Sequence, residues 1–201
     1  DRSPSRGLGD VYKRQLIFII VLGYESISEA FEKIKEGQKV DFYKEMAVTD
    51  TMTGVYNRSA FEEWEQETSD YEGYSIVTFD LNNLKWCNDN LGHAAGDAYI
   101  QASARIIKEI FGRHGKCYRI GGDEFCTVIN QKQKSFDIGR HVKQLRELEK
   151  YTEEELGIKD LNVQIACGYA EYDIKTDKNF EDTRSRADKR MYESKRRLKR
   201  E

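Results

Sequence analysis

The spacing of apolar and polar residues predicts two regions of different structure. Between residues 24 and 49, apolar side chains recur at helical spacing in two short stripes, one of which contains Ile27, Phe31 and Ile34. Beyond Asp50, helical periodicity alternates with short apolar runs typical of buried strands. The predicted elements are helix 58–68, strand 74–80, helix 83–90, helix 95–112, strand 116–120, strand 125–130, helix 135–150, strand 161–170 and helix 180–198. This order predicts an α/β fold in which helices cover the faces of a sheet.

The helical region 24–49 is interpreted as a linker helix, and its pattern leaves two arrangements open. The helix either packs on its own domain or forms a parallel coiled coil with a second copy of the chain. Gly37 interrupts the register between the two stripes, so neither stripe is long enough to decide.

The first 23 residues fit neither region. Residues 1–15 lack apolar periodicity, contain the only proline of the chain and resemble a translated sequencing adapter, so we treat them as non-native sequence. Residues 16–23 are seven large apolar residues followed by a glycine. A bilayer requires about 20 residues, and a strand here would have no obvious partner. We therefore interpret residues 16–23 as the end of a truncated transmembrane helix that anchors the intact protein to a membrane.

Charge and cysteine content exclude some classes of function. The formal net charge of −3 argues against a general nucleic-acid binder, and the basic residues between 184 and 200 are interpreted as a solvated helix face. The four cysteines form no C-x-x-C pair and lie in apolar stretches, which is typical of small core residues in a reducing compartment. The sequence therefore predicts no structural zinc site.

The segment with the clearest candidate chemistry is GGDEF, at residues 121–125, between two apolar runs. Two consecutive glycines are expected to take positive φ in a two-residue hairpin, and they leave no Cβ to hold an anion away from the main chain. The acidic residues Asp123 and Glu124 suit a divalent cation. The alternative is an ordinary surface hairpin, because acidic residues after Gly-Gly are common there.

Three further motifs extend this signal. A predicted strand, SIVTFD, ends at Asp80 and is followed by LNNLKWCNDNLGHAAGD at residues 81–97. DTMTGVYNR lies at residues 50–58, and RADKRMYESK lies at residues 186–195. In this order and spacing, the four motifs resemble the GGDEF family of diguanylate cyclases over residues 48–200. The resemblance implies a catalytic domain at 50–201 with a palm-like fold, in which helices flank a central, mostly antiparallel sheet with an active-site hairpin. The same fold occurs in nucleotidyl cyclases and polymerase palms.

The family resemblance also implies an activity and its catalytic residues. Diguanylate cyclases condense two GTP molecules into cyclic di-GMP and two pyrophosphates across a homodimer, with two Mg²⁺ ions per active site and Mn²⁺ as an alternative. Motif position makes Asp80, Asp123 and the main-chain carbonyl of Leu81 the expected metal ligands. Asp123 is also the expected proton acceptor, and Glu124 supports the metal site. Lys85 is expected to stabilise charge that develops on the phosphate.

Substrate-binding residues follow from the same resemblance. Asn88 and Asp97 occupy the guanine-reading positions, and the retained acid at 97 favours cyclic di-GMP over a mixed dinucleotide. His93 is placed at the pocket, although a histidine before a helix is commonly a cap or packing residue. The remaining positions are expected to contact phosphates: Gly121, Gly122, Lys195 and Lys199. The implied location is the cytoplasmic side of a bacterial inner membrane.

Departures from the family pattern define the competing hypotheses. Asn82 stands where a second aspartate is usual, Leu84 where phenylalanine is usual, and Leu198 where glycine is common. None of these removes an expected metal ligand; Asn82 is expected to alter hydrogen bonding around the ligands. The main alternative function is a catalytically silent GTP-binding regulatory module. A purely structural dimerisation unit would leave the acidic residues unexplained.

Overall fold

The computed structural model describes residues 15, 18, 22–36, 43, 45–132, 136–159 and 161–199, and these divide into two units, Asp1–Ala47 and Val48–Glu201. In the first unit, residues 22–36 are helical, and Ile27, Phe31 and Ile34 expose 59% to 71% of their surface. Among the described residues no helix is both long and apolar enough to cross a membrane. The predictions for residues 1–15 and 16–23 fall almost entirely outside the described residues.

The second unit contains six helices and four strands within its described residues. In chain order they are α1 (Arg58–Glu67), β1 (Tyr74–Leu81), α2 (Leu84–Leu91), α3 (His93–Phe111), β2 (Gly115–Arg119), β3 (Glu124–Asn130), α4 (Ile138–Glu149), α5 (Thr152–Leu156), β4 (Ile165–Glu171) and α6 (Phe180–Leu198). Side-chain oxygens of Asn57, Asp137 and Asn179 accept hydrogen bonds from backbone N–H groups in the first turns of α1, α4 and α6. These caps explain where the three helices begin.

Two boundaries predicted from sequence are wrong by three residues or more. Helix α4 begins at Ile138 instead of 135, because Asp137 is its cap. Strand β4 begins at Ile165 instead of 161, because the residues before it bond to α5: Val163 N–H donates to Thr152 Oγ1, and Asn162 Oδ1 accepts from Glu153 N–H. Helix α5 itself was not predicted.

The four strands form one sheet in the order β2-β3-β1-β4, and every neighbouring pair is antiparallel. The central strand β1 therefore pairs along both edges. Its register places Asp80 opposite Glu124 of β3 and opposite Ala166 of β4. This arrangement confirms the predicted α/β fold with an antiparallel sheet and flanking helices.

Helices cover both faces of the sheet, so β1 is buried from Ser75 to Leu81. Val77, Phe79 and Leu81 belong to the core on the α3 face. Ile76 belongs to a second core with residues of α1 and α6. Because side chains alternate along a strand, Thr78 and Asp80 share the α6 face with Ile76. The buried carboxylate at the end of β1 therefore faces α6.

Candidate functional site

The end of β1 and the β2-β3 hairpin meet at the candidate site. Leu81 N–H donates to the carbonyl of Asp123 at 3.0 Å, which extends the β1-β3 ladder beyond the Asp80–Glu124 pair. Directly opposed residues in an antiparallel pair lie on the same face, so Asp80 and Glu124 are neighbours. The structure thus brings Asp80 and Leu81 next to Asp123 and Glu124, although the two pairs lie more than 40 positions apart in the sequence.

The hairpin differs from the two-residue turn expected for consecutive glycines. Strand β2 ends at Arg119 and β3 begins at Glu124, so four residues form the connection, and neither Gly121 nor Gly122 has positive φ. A longer connection does not require that conformation. Gly121 has a different role, because a Cβ there would lie 2.8 Å from Glu124 Oε2. Around Gly122 a Cβ would meet nothing within 4 Å, so its backbone remains open to a ligand.

Helix α6 contributes a cation to this site. Lys195 Nζ lies 2.6 Å from Asp80 Oδ1, and Asp80 is only 7% exposed. A buried carboxylate requires a partner of opposite charge, and Lys195 provides it. Lys199 lies one turn further along, at the exposed C-terminal cap of α6.

The acidic groups also show what the site could hold. In the part of the chain that the structure describes, no group of three or more Asp, Glu, His or Cys side chains gathers in a metal-binding arrangement. Two carboxylates, from Asp80 and Asp123, and the Leu81 carbonyl are a sparse donor set. Mg²⁺ fits such a set, because it usually binds one or two carboxylates and takes substrate phosphates and waters as its other ligands.

A cavity of about 530 Å³ adjoins the hairpin on the α6 side. Glu124 lines it together with Thr78 of β1, Arg58 of α1, and Arg184 and Asp188 of α6. Burial raises the pKa of Asp188, although Thr78 and Arg184 counteract this in part. A larger cavity, about 870 Å³, lies between the end of α3 and α4 and contains none of the predicted site residues.

The predicted base-reading residues lie on α2 and α3. The two helices are joined at Gly92, whose φ of 87° is rarely adopted by other residues. This tight connection places Asn88 directly against Gly96: a Cβ on Gly96 would lie 1.9 Å from Asn88 Oδ1. Asn88 is half-buried, whereas Asp97, next to Gly96, is exposed.

The two remaining predicted residues, Lys85 and His93, are exposed at the first turns of α2 and α3. His93 is the first residue of α3, but the cap of that helix is Gly92 and not a histidine side chain. Neither side chain is held in a fixed position by the core, so both can reach toward a ligand.

The family resemblance makes Asn88 a guanine-reading residue, and Gly96 leaves room for it. On that expectation Gly96→Ala should raise KM for GTP by about 10- to 100-fold, since a misplacement of about 1 Å can have that effect. Alanine favours a helix over glycine, so unfolding is not the expected cause. Initial-rate kinetics with GTP, alongside a melting curve, test this prediction. The control is Gly139→Ala in α4, where a Cβ would meet only Asp137 Oδ1 at 3.3 Å. Equal KM values for both variants would contradict the role of Gly96.

The sequence did not identify Arg119 as a site residue. Its guanidinium donates to the carbonyls of Gly121 and Gly122, at 3.2 and 2.9 Å, and pairs with Asp50 at 3.2 Å. Burial acts to raise the pKa of Asp50, but hydrogen bonds from Thr53 and the charge of Arg119 outweigh it, so this pKa lies below its usual value. Arg119 therefore anchors the hairpin turn to the start of the second unit. The sequence signal that could have identified Arg119 is a cationic residue in the predicted strand directly before Gly-Gly.

Comparison with known proteins places these features in a family. The model of the family described as diguanylate cyclase, GGDEF domain, matches residues 47–201. Diguanylate cyclase DgcN of Escherichia coli (strain K12) is 36% identical over 96 residues, which are 46% of this chain and 24% of that protein. Cyclic di-GMP phosphodiesterase PdeB of Shewanella oneidensis is 34% identical over 130 residues, or 64% of this chain and 14% of that protein. The chain thus spans a quarter or less of either relative.

A solved structure with the same fold is that of the coiled coil and GGDEF domain of DgcB from Caulobacter crescentus, in complex with c-di-GMP. It matches with a TM-score of 0.69 and 22% identity, covering 87% of this chain and 94% of that chain. The match confirms the sheet and helix arrangement predicted from the sequence.

Proposed function

This chain belongs to the GGDEF family of diguanylate cyclases, and we propose that it condenses two GTP molecules into cyclic di-GMP and two pyrophosphates. The observation that carries the proposal is the meeting of Asp80, Leu81 and Asp123 beside Lys195, at the junction of β1 and the hairpin. Nucleotidyl transfer requires such a group, since it must gather the charge of a triphosphate and align a hydroxyl with an α-phosphate.

Asp80, Asp123 and the Leu81 carbonyl would hold Mg²⁺, with two ions in each active site and Mn²⁺ as an alternative. When bound, the metal neutralises phosphate charge and orients the attacking and leaving oxygens. The donor set fits this ion, because Asp80 already attracts a cation, the Lys195 ammonium, in its buried position. On binding of substrate, Lys195 exchanges this carboxylate for the triphosphate, and Lys199 adds a second positive charge.

The other residues hold the nucleotide and move one proton. The Asp97 carboxylate accepts from N1–H and the exocyclic amine of guanine, the Asn88 amide bonds to the remaining donors and acceptors, and His93 lies at the rim of the same pocket. Gly121 and Gly122 border the phosphates, and of the two it is Gly122 whose backbone is open to them. The 3′-oxygen of one GTP bonds to the α-phosphorus of the other, the bond to the pyrophosphate oxygen breaks, and Asp123 accepts the hydroxyl proton. Glu124 supports the metal site, and Lys85 stabilises charge on the phosphate.

Ring closure requires two nucleotides that face each other, so the proposal includes a homodimer. The exposed stripe of Ile27, Phe31 and Ile34 on the helix 22–36 suits a contact between two copies, since isolated apolar stripes of this kind pair in coiled coils. The rate of product formation is then expected to rise with the square of protein concentration at concentrations below the dimer dissociation constant.

The alternative is a silent GTP-binding module that regulates a partner. One observation favours it: a relative matched over 64% of this chain bears the name of a phosphodiesterase, PdeB. The retained acids Asp80, Asp123 and Glu124, together with Lys85, favour an enzyme. Both hypotheses predict binding of GTP, but only the first predicts turnover.

The experiment that tests the proposal incubates the chain with Mg²⁺ and equal amounts of GTP and ATP, and identifies the products by chromatography and mass spectrometry. We expect cyclic di-GMP and pyrophosphate, and no product with Asp123→Ala or after addition of EDTA. A mixed dinucleotide as the main product would contradict the role of Asp97. Binding of GTP without any product, also in a fusion to a coiled-coil dimer, would favour the silent module.

A further inference from the structure

Gln164 lies at the junction of three elements that carry the proposed active site. It directly precedes β4, and neither its sequence position nor its chemistry marks it as a site residue. Its backbone carbonyl accepts from Asn82 N–H at 2.8 Å, and its side-chain Oε1 accepts from Asn82 Nδ2 at 3.1 Å. Gln164 therefore holds Asn82 through both backbone and side chain.

The bond to Asn82 N–H also determines the direction of the Leu81 carbonyl. That carbonyl and Asn82 N–H belong to the same peptide group, which is planar and trans, so the two point in opposite directions. Since Asn82 N–H points toward Gln164 on the β4 side, the Leu81 carbonyl points toward the β3 side. Leu81 N–H, which donates to the Asp123 carbonyl, points to that side too. A carbonyl aimed in this direction is available to a ligand between β1 and the hairpin.

Asn82 depends on Gln164 for its side-chain orientation. Asn82 is 1% exposed, and its Oδ1 has no hydrogen-bond partner among the residues that the structure describes. Its Nδ2 bond to Gln164 Oε1 is therefore the hydrogen bond that fixes the amide. A buried acceptor without a partner destabilises the fold, so the arrangement is poorly explained by stability alone.

The same glutamine reaches α3 and α6. Gln164 N–H donates to Tyr99 Oη at 2.7 Å, and Tyr99 Oη donates to the Asn82 carbonyl at 2.8 Å. Burial raises the pKa of Tyr99, so its hydroxyl keeps the proton that it donates. Tyr99 lies two residues after Asp97. Gln164 Nε2 makes a longer contact, 3.5 Å, to the carbonyl of Leu198 near the end of α6.

From these contacts we infer that Gln164 is a positioning residue, which fixes the Leu81 carbonyl through Asn82 and keeps the metal-binding turn in register with the base-binding and phosphate-binding helices. The inference rests on the proposed function, because it assigns the Leu81 carbonyl to the metal. It accounts for Asn82, the departure from the family pattern beside a ligand, as half of an amide pair whose other half is Gln164.

The test compares Gln164→Leu with Gln131→Leu in the full chain. The backbone bonds of Gln164 survive the substitution, so the variant is expected to fold and to keep the direction of the Leu81 carbonyl. It loses the amide hydrogen bond that holds Asn82, and with it the support that keeps the Leu81–Asn82 peptide group in a fixed position. Gln131 is a matched control, because its Nε2 also joins β1 to β4, through Ser75, Tyr169 and Glu171, but at the opposite end of both strands. The probe is Mn²⁺, titrated in the presence of a non-hydrolysable GTP analogue and followed by electron paramagnetic resonance.

We expect Gln164→Leu to weaken Mn²⁺ binding by about 10-fold, as is typical when a residue that orients a ligand is removed, and to lower kcat more than it raises KM for GTP. Gln131→Leu should leave Mn²⁺ binding and the kinetic constants unchanged. Its melting temperature should fall by about as much as that of Gln164→Leu. The exchanged pair Asn82→Gln with Gln164→Asn restores a bond between the two amides and should recover most of the binding.

Unchanged Mn²⁺ affinity in Gln164→Leu, or equal losses in both leucine variants, would overturn the role of Gln164. If the parent chain binds Mn²⁺ and the analogue but forms no cyclic di-GMP, the proposed activity fails while the binding comparison still tests Gln164. A parent chain that binds no Mn²⁺ overturns both.

Discussion

Asp80→Asn should reduce the rate of cyclic di-GMP formation by about 100- to 1000-fold while the protein stays folded. Asparagine has nearly the same size as aspartate but carries no charge, so it removes the negative partner of Lys195 and one expected metal ligand. Removal of one group that stabilises charge in the transition state typically costs about 100- to 1000-fold in kcat, and each factor of 10 corresponds to about 1.4 kcal/mol in the barrier. The measurement is initial-rate product formation at saturating Mg²⁺ and GTP.

The burial of the two side chains predicts where this cost appears. Asp80 has 10% of its side chain exposed, but Lys195 has 26%, so Lys195 can turn toward water when its partner is neutral. We therefore expect only a small change in melting temperature. The control is Asp70→Asn, which removes an exposed carboxylate paired with Lys132 at 3.0 Å and should leave the rate unchanged. A rate for Asp80→Asn within about threefold of the parent would exclude Asp80 from the catalytic group.

The sequence could predict those parts of the site that depend on short, local patterns of residues. The run from Ser75 to Asp80 predicted a buried strand that ends in an acid, and the GGDEF segment predicted a hairpin. Their meeting depends on the register of β1 with β3, which neither run specifies alone; the family resemblance supplied that expectation. The positive φ predicted for Gly121 and Gly122 was wrong. The prediction assumed a two-residue turn, but the connection has four residues.

The contacts that sequence could not predict join residues far apart in the chain. Arg119 and Asp50 are 69 positions apart, and Asn82 and Gln164 are 82 positions apart. Each of these polar residues alone is compatible with an exposed surface, and only the fold shows its partner. Helix α5 was missed for a different reason: with five residues, it is too short for apolar periodicity to develop.

Gly168 illustrates such a long-range requirement, and its substitution is the second large effect that we expect. Gly168 lies in β4 opposite Thr78, on the face that α6 covers. A Cβ there would lie 2.1 Å from the carbonyl oxygen of Ala187 and 2.3 Å from the backbone nitrogen of Met191. Both atoms are main-chain atoms of α6, so no side-chain rotation can relieve the overlap. The glycine is required by close approach of the helix and not by its φ angle.

Gly168→Ala should therefore displace α6 from the sheet and destabilise the second unit by about 3 kcal/mol, the upper part of the usual range for an overpacked core. For a domain of this size, that corresponds to a fall in melting temperature of about 6 to 12 °C. Because α6 carries Lys195, KM for GTP should also rise when the variant is assayed well below its melting temperature. Differential scanning calorimetry and initial-rate kinetics measure the two effects, with Gly139→Ala as the control. A Gly168→Ala variant that melts with the parent would show that α6 does not pack on β4 as closely as the structure has it, and the position of Lys195 beside Asp80 would lose its support.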